Sequence, residues 1–142
     1  MKDSLRPGLT FEFKFTVPEN KTVPHLYPES SEFQAMPRVL ATGFMVGLFE
    51  WACIQAINSH IDWPEEQTVG IHVNLSHTAA TPPGLTITVT GKLEEVEGRK
   101  LSFSIVAEDG LDKISEGTHD RFIINAAKFN DKMTAKLASV RE

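Results

Sequence analysis

The sequence predicts an α+β fold, in which an antiparallel sheet packs against one long, mostly apolar helix. Three observations predict it. A segment of alternating apolar and polar residues comes first, an apolar segment of helical length follows, and four further strand-like segments separated by short turns complete the chain. Because strands joined by short turns pair antiparallel, the helix must lie across one face of the sheet that they form.

The first element is a strand over residues 9–17, where apolar and polar side chains alternate with the period of a half-buried strand. Pro18 ends it. Residues 19–37 contain three further prolines and scattered apolar side chains, a pattern typical of a structured loop or short helical turns. We expect this segment to act as a lid.

The second element is a helix over residues 38–58, which follows Pro37 and contains no internal proline. Its apolar residues go most of the way round the helix, which indicates that other structure surrounds it. Gly43 and Gly47 lower its helix propensity but allow close approach of another backbone on one face.

Four strands and a short helix make up the rest of the chain. We predict strands over residues 68–81, 85–96, 101–107 and 113–126, and a helix over residues 128–140 with Asn130 as a candidate cap. A sheet wrapped around a central helix is the hot-dog arrangement. Such a sheet leaves an unpaired edge, which predicts a dimer.

Composition limits the functions that are open to the chain. Its 142 residues suit a single domain over residues 1–142, and a net charge of −5 gives no broad attraction to nucleic acid or an anionic membrane. The one cysteine, Cys53, can form neither an intramolecular disulfide nor a cysteine metal cluster, so we expect no metal site of that kind.

The N-terminal residues lack the apolar region of a signal peptide. The longest apolar stretch, residues 43–57, is shorter than the span of about 20 residues that crosses a bilayer. With a single cysteine as well, the sequence predicts a cytoplasmic protein.

Glu50 is unusual because it lies mid-helix among apolar residues. A buried lone carboxylate is destabilising unless it is hydrogen-bonded or protonated, so Glu50 serves a site, lies on a narrow solvent-facing strip or caps a buried network. Thr42 lies two turns earlier on the same side, and its hydroxyl could face the same cavity. A threonine near the start of a helix is also commonly a cap or hydrogen-bonded back to the helix.

His77 ends the apolar row of the first post-helix strand, so its imidazole should be partly desolvated and titrate near neutral pH. The ordinary alternative is a core or interface histidine. His72 points to the other face of that strand. His119 and Arg121 share one face of the last strand, and Arg121 could pair with a carboxylate, with an anionic ligand or in a surface ion pair. Together these groups are the parts of an acyl-transfer site.

Several strings of residues resemble the fluoroacetyl-CoA thioesterase family. They are Ala41-Thr42-Gly43-Phe44-Met45-Val46-Gly47-Leu48 followed by Glu50-Trp51-Ala52-Cys53, Lys21-Thr22-Val23 with His25-Leu26-Tyr27-Pro28-Glu29-Ser30, His77-Thr78-Ala79-Ala80-Thr81-Pro82-Pro83-Gly84-Leu85, and Gly117-Thr118-His119 before Arg121. The strings are long, and they are spread over residues 21–130.

The resemblance implies a homodimeric hot-dog thioesterase that acts on acyl-CoA, with Thr42, Glu50 and His77 as its catalytic group. It also assigns Gly70 and Arg121 to the site and matches Phe33 to a lid aromatic. The second lid aromatic of the family is Met36 here. A flexible thioether discriminates less sharply than a ring, so hydrolysis of a short acyl-CoA is a safer expectation than selectivity for the fluoroacetyl group.

In the mechanism that we expect, Glu50 attacks the thioester carbonyl or activates a water, with Thr42 holding it by a hydrogen bond. His77 acts as general base and acid, and the Gly70 N–H helps to bind the oxyanion. Coenzyme A is part of the substrate, so no cofactor is expected.

Two other functions stay open from the residues alone. One is a hot-dog enoyl-CoA hydratase or dehydratase, although such enzymes place a histidine near the start of the helix and this helix has none. The other is a non-catalytic module that binds acyl-CoA or a lipophilic ligand. Arg99 and Lys100 are the candidate contacts for CoA.

Overall fold

The computed structural model describes residues 1–141. Its strands are β1 (Thr10–Thr16), β2 (Glu66–Leu75), β3 (Thr86–Glu97), β4 (Lys100–Glu108) and β5 (Lys113–Asn125). Its α-helices are α1 (Val23–Leu26), α2 (Ser31–Gln34), α3 (Thr42–Asn58) and α4 (Ala126–Ser139), and a short 3-10 helix spans Glu19–Lys21.

The five strands form one antiparallel sheet in the order β1-β3-β4-β5-β2. Alternate side chains of β3 and β4 are buried and form a core with the buried residues of α3. Phe103 of β4 and Phe49 of α3 are among the largest fully buried side chains. The α+β hot-dog prediction is therefore confirmed: the sheet curls around one long helix.

The long helix begins at Thr42, four residues later than predicted. The residues before it use their backbone groups on distant partners instead of on a helical turn. Leu40 N–H donates to the Thr81 carbonyl and Ala41 N–H donates to the Lys21 carbonyl. Residues 38–41 are therefore a connector that ties the lid segment to the start of the helix.

Strand β2 ends at Leu75, which is earlier than predicted, so His77 lies just beyond it. The paired positions of β2 and β5 end at Leu75. At the next residue, the Ser76 side chain accepts a hydrogen bond from the Glu116 N–H at 3.0 Å. The strand also contains a bulge between Gly70 and His72. Counting residues by two cannot anticipate either irregularity, because a bulge shifts which face the later side chains occupy.

The C-terminal helix is capped by Asn125, so the prediction of Asn130 was wrong. The Asn125 side chain accepts from the Lys128 N–H at 3.0 Å, the bond typical of an N-cap. The helix thus follows β5 directly, and Asn130 lies inside its second turn.

The lid segment, residues 19–37, forms the 3-10 helix, α1 and α2. Its stem is held by the Val23 N–H, which donates to the Val39 carbonyl. Leu26 packs directly over Gly43, where an added Cβ would lie only 2.9 Å from the Leu26 Cδ2. The glycine near the start of α3 therefore lets the lid pack against the central helix.

Strand β2 lies at one end of the sheet, and its outer edge has no strand partner in the part of the chain that the structure describes. Two apolar side chains of this strand are strongly exposed, Ile71 at 50% and Val73 at 43%. Among residues 1–141, no helix is both long enough and apolar enough to cross a membrane.

Candidate active site

Thr42 and His77 meet at the N-terminal end of α3. The Thr42 Oγ1 lies 2.8 Å from the His77 Nδ1, although the residues are 35 positions apart in the chain. Thr42 is the first residue of the helix, and His77 follows β2. The predicted proximity of the hydroxyl and the imidazole is therefore seen within one chain.

His77 is incompletely hydrogen-bonded. Its Nε2 is buried and has no hydrogen-bond partner within residues 1–141. Burial lowers the pKa of His77, because removing the ring from water disfavours the charged form. A neutral imidazole with one unused nitrogen can accept or deliver a proton when a substrate group reaches it.

Glu50 pairs with Arg121. The Arg121 Nη1 donates to the Glu50 Oε1 at 3.1 Å across 71 positions of sequence. The arginine side chain is 3% exposed, whereas the glutamate side chain is 39% exposed. The Glu50 Oε2 makes no hydrogen bond to another described residue, so it is the oxygen left available to a water or a substrate.

Arg121 is held on several sides. Its Nε donates to the Thr68 Oγ1 at 2.8 Å, and its Nη2 donates to the Thr68 carbonyl at 2.8 Å. The remaining amino group, Nη1, lies 3.1 Å from the His119 Nε2 in addition to Glu50. A buried guanidinium needs such partners, and the rigid fork of its N–H groups fixes the direction of each contact.

Gly70 closes this cluster from β2, where it pairs with Arg121 of β5. A Cβ at this position would overlap the Glu50 Oε1 and would lie 3.2 Å from the His119 Cε1 and 3.3 Å from the Arg121 Nη1. Only a residue without a side chain leaves this space open. Three predicted site residues, Glu50, Gly70 and Arg121, are therefore in direct contact or packed together.

Within one chain, no hydrogen bond joins the Thr42–His77 pair to Glu50 in the part that the structure describes. Thr42 and Glu50 are eight residues apart on α3, which separates them by about 12 Å along the helix axis. In the described residues no hydrogen bond links Thr42 or His77 to Glu50. The expected hydrogen bond by which Thr42 would hold Glu50 is therefore absent from the single chain, because the helix keeps the two side chains about two turns apart.

The lid residues are placed as follows. Phe33 of α2 is half-buried and its ring lies 5.8 Å from that of Tyr27. Met36 follows α2 and is 47% exposed. The lid aromatic therefore packs within the lid itself, and the thioether is free to adjust its position.

An apolar cavity of about 290 Å³ lies on another side of α3. It is lined by Phe15, Lys21, Leu40, Phe44, Gly47, Leu48 and Trp51. None of the predicted site residues is among them. This cavity is thus separate from both polar groups.

Sequence reasoning missed two residues of the Glu50 cluster, Thr68 and His119. Both contact Arg121. Thr68 is brought to it by the pairing of β2 with β5, whereas His119 lies two residues earlier on the same strand. The two-residue spacing of His119 and Arg121 predicted a shared face of the strand. It did not indicate that the face is buried, with His119 only 1% exposed.

Comparison with known proteins identifies the same family that the residue strings resemble. The family model for the fluoroacetyl-CoA-specific thioesterase matches residues 17–127. The fluoroacetyl-CoA thioesterase of Streptantibioticus cattleyicolor is 54% identical over 136 residues, which are 96% of this chain and 97% of that protein.

Solved structures agree with this family match. A structure of a fluoroacetyl-CoA thioesterase superposes with a TM-score of 0.91 at 53% identity and covers 94% of this chain and 98% of its own. A thioesterase superfamily member from Thermus thermophilus superposes with a TM-score of 0.78 at 25% identity, covering 94% of this chain and 93% of its own.

Proposed function

Because the chain belongs to the fluoroacetyl-CoA-specific thioesterase family, we propose that it hydrolyses a short-chain acyl-CoA thioester to the free acid and CoA. The observation that carries this proposal is the Glu50 carboxylate, fixed through Oε1 by the buried Arg121 beside Gly70. A carboxylate held in this way presents its second oxygen at a defined position, as acyl transfer requires.

We propose Glu50 as the group that begins the reaction. In one route its Oε2 attacks the thioester carbonyl, the C–S bond breaks, and water then hydrolyses the resulting anhydride. In the other route Glu50 takes a proton from water, and that water attacks. Both routes yield the acid and CoA. A single turnover in ¹⁸O-labelled water places the label in the Glu50 side chain only by the first route, when water attacks the Glu50 carbonyl of the anhydride. Trapping of an acyl-enzyme on Glu50 detects the same route when water attacks the substrate carbonyl instead.

His77 and Thr42 handle protons in either route. In the first route the unused His77 Nε2 takes a proton from the water that cleaves the anhydride and passes it to the CoA thiolate. In the second route it passes on to the thiolate the proton that Glu50 has taken from water, and in both routes Thr42 fixes the ring through Nδ1. The backbone N–H of Gly70 is the proposed oxyanion donor, worth about 3 kcal/mol in comparable sites. Phe33 and Met36 of the lid are the proposed contacts of the acyl group.

We also propose that two copies associate through β2. The unpaired edge and the exposed Ile71 and Val73 support this, because a second copy would cover the apolar side chains and continue the sheet. The interface would give the separated groups a way to meet, with Glu50 of one copy facing Thr42 and His77 of the other. Light scattering after gel filtration tests the dimer, and a monomer at micromolar concentration would contradict it.

Mixed dimers test the shared site. We expect Glu50→Ala and His77→Ala each to be inactive alone, whereas a heterodimer purified through two different tags should recover about half of the wild-type activity, because one of its two sites is intact. No recovery would show that each site uses residues of a single chain.

The proposed reaction consumes only water, so we propose that it needs no cofactor apart from the CoA of the substrate. Within residues 1–141 no three His, Cys, Asp or Glu side chains group in a way that could hold a metal ion. We propose a cytoplasmic location, in keeping with a single buried cysteine. Burial raises the pKa of the Cys53 thiol to about 12, so this thiol stays protonated and unreactive.

The function as a whole is tested by thiol release from acetyl-, fluoroacetyl-, propionyl- and phenylacetyl-CoA. We expect turnover with at least one of the short acyl groups. Tight binding of these compounds without thiol release from any of them would instead favour a non-catalytic acyl-CoA binding module.

A further inference from the structure

We propose that His119 is a positioning residue of this site: its imidazole holds Arg121 against Glu50 and fixes the bulge of β2 next to Gly70. The inference rests on the proposed thioesterase function, and it assigns a task to a residue that does not itself reach the substrate. Two contacts of the imidazole carry it, the first through Nδ1 and the second through Nε2.

Together the two contacts fix the tautomer. The His119 Nδ1 lies 2.8 Å from the carbonyl oxygen of His72, and a carbonyl can only accept, so Nδ1 carries the proton. The Nε2 lies 3.1 Å from the Arg121 Nη1, which can only donate, so Nε2 is the acceptor. His119 must therefore be a neutral imidazole in one defined tautomer.

The surroundings favour this neutral form. Burial lowers the pKa of His119, and the positive charge of Arg121 lowers it further, while the His72 carbonyl, Glu50 and Asp120 act in the opposite direction. His119 is only 1% exposed, so no solvent competes for either nitrogen. The ring thus bridges two elements without changing its protonation near neutral pH.

The second contact orients Arg121. Its Nη1 carries two protons in a fixed plane, and one of them is directed at the His119 Nε2. The other is then aimed at the Glu50 Oε1. Without the imidazole acceptor, Thr68 alone would hold the guanidinium, through Nε and Nη2. His119 therefore determines how the arginine meets the carboxylate.

The first contact, through Nδ1, restrains the bulge. Gly70 pairs with Arg121 and His72 pairs with Asp120, which leaves Ile71 as the extra residue of β2. Bulges re-aim the backbone beside them. Within one chain β2 has a strand partner on one side only, so the bulge needs a further restraint from that chain's own side chains. The bond from His119 to the His72 carbonyl supplies that restraint. It acts two residues from the N–H that we propose as the oxyanion donor.

Two conservative variants separate these contacts. In His119→Asn the side-chain amide N–H replaces the Nδ1 donor, so the bulge keeps its anchor and Arg121 loses its acceptor. In His119→Gln the longer side chain places its oxygen near the former Nε2, so Arg121 keeps its acceptor and the bulge loses its anchor. His119→Ala removes both contacts.

We expect kcat for hydrolysis to fall by about 10²-fold in His119→Ala, the size of effect that a small misplacement of reacting groups produces. KM should change by less than about threefold, because His119 does not touch the substrate. His119→Asn and His119→Gln should each restore part of the lost kcat. His60→Asn is the matched control, since His60 also bonds through its ring, to Ser4 at 2.7 Å, and lies outside the site.

A second measurement does not depend on activity. Side-chain ¹⁵N spectra of the wild type at pH 7 to 8 should show His119 protonated at Nδ1 alone. The Arg121 Nε signal should move in His119→Asn and stay close to wild type in His119→Gln. If the wild type hydrolyses no acyl-CoA, the proposed function fails and these spectra still test the positioning.

The inference is overturned by any of three results. His119→Ala could keep kcat within twofold of wild type, the ¹⁵N spectra could show the other tautomer, or both conservative variants could leave the Arg121 signal unmoved. Thermal unfolding of every variant accompanies the kinetics. A fall in Tm with kcat unchanged would assign His119 to stability alone and would likewise overturn the inference.

Discussion

The Thr42–His77 pair and the Glu50–Arg121 cluster are built in opposite ways, although α3 contributes one residue to each. The first is joined by one hydrogen bond between a surface hydroxyl and an imidazole that has an unused nitrogen. In the second, Arg121 is 3% exposed and has partners for four of its five N–H groups. The Thr42–His77 pair is therefore loosely held, whereas the Glu50–Arg121 cluster is rigidly held.

The difference matches two needs of acyl transfer. Groups that move protons must change partners during the reaction, and a single hydrogen bond permits this. A group that begins the attack, and a donor that binds the developing charge, work best when they are fixed before the substrate arrives, because no energy is then spent on reorienting them. The chain supplies the first at the start of α3 and the second where β2 and β5 meet the middle of that helix.

The largest effect that we expect comes from removing the fixed carboxylate. Glu50→Gln should lower kcat by up to about 10⁴-fold, because the amide neither attacks a carbonyl nor accepts a proton from water. Thiol release under single-turnover conditions measures it. Glu65→Gln, at an exposed position, is the control. Full activity in Glu50→Gln would remove the rigid cluster from the mechanism.

Arg121→Lys tests whether rigidity or charge matters in that cluster. Lysine keeps the charge but loses the planar fork that reaches Thr68, His119 and Glu50 together. We expect kcat to fall by about 10²-fold with a smaller change in KM. If the lysine variant had wild-type kcat, charge alone would explain the role of Arg121.

The loosely held Thr42–His77 pair should determine how kcat/KM depends on pH. Burial lowers the pKa of His77, so the neutral base should persist below pH 6.5, and kcat/KM should decline only at more acid pH. His77→Gln should abolish this acid limb. A limb that stays in place in His77→Gln would assign the titration to another group.

The lowered pKa values of His77 and His119 also affect the stability of the folded chain. The unfolded chain binds protons at His77 and His119 with a pKa of about 6.5, and the folded chain binds them only at lower pH. The free energy of unfolding should therefore fall as the pH drops below about 6.5. Urea titrations at pH 7.5 and 5.5 measure this, and replacing both histidines by Gln should reduce the difference.

The smallest effect concerns the lid. Met36→Phe should raise the preference for fluoroacetyl-CoA over acetyl-CoA by up to about tenfold, because a ring fills the acyl pocket less adaptably than a thioether. The ratio of kcat/KM for the two substrates measures it. An unchanged ratio would separate position 36 from acyl selection.

Prediction from sequence worked best where a pattern is local. The alternation of β1 and the apolar run of α3 were recognised within a few residues of their true ends, since each pattern spans one element. It failed at the start of α3 and the end of β2. There the backbone bonds to distant segments, and no local pattern records those partners.

Local patterns in the amino-acid sequence were enough to predict the main elements, their order and the presence of a threonine, a glutamate, a histidine and an arginine in strings typical of the family. Which of these groups touch depends on how the whole chain folds. Thr42 meets His77 across 35 positions, and Glu50 meets Arg121 across 71. Those contacts depend on strand register and on a bulge in β2, which arise when the whole sheet closes around the helix.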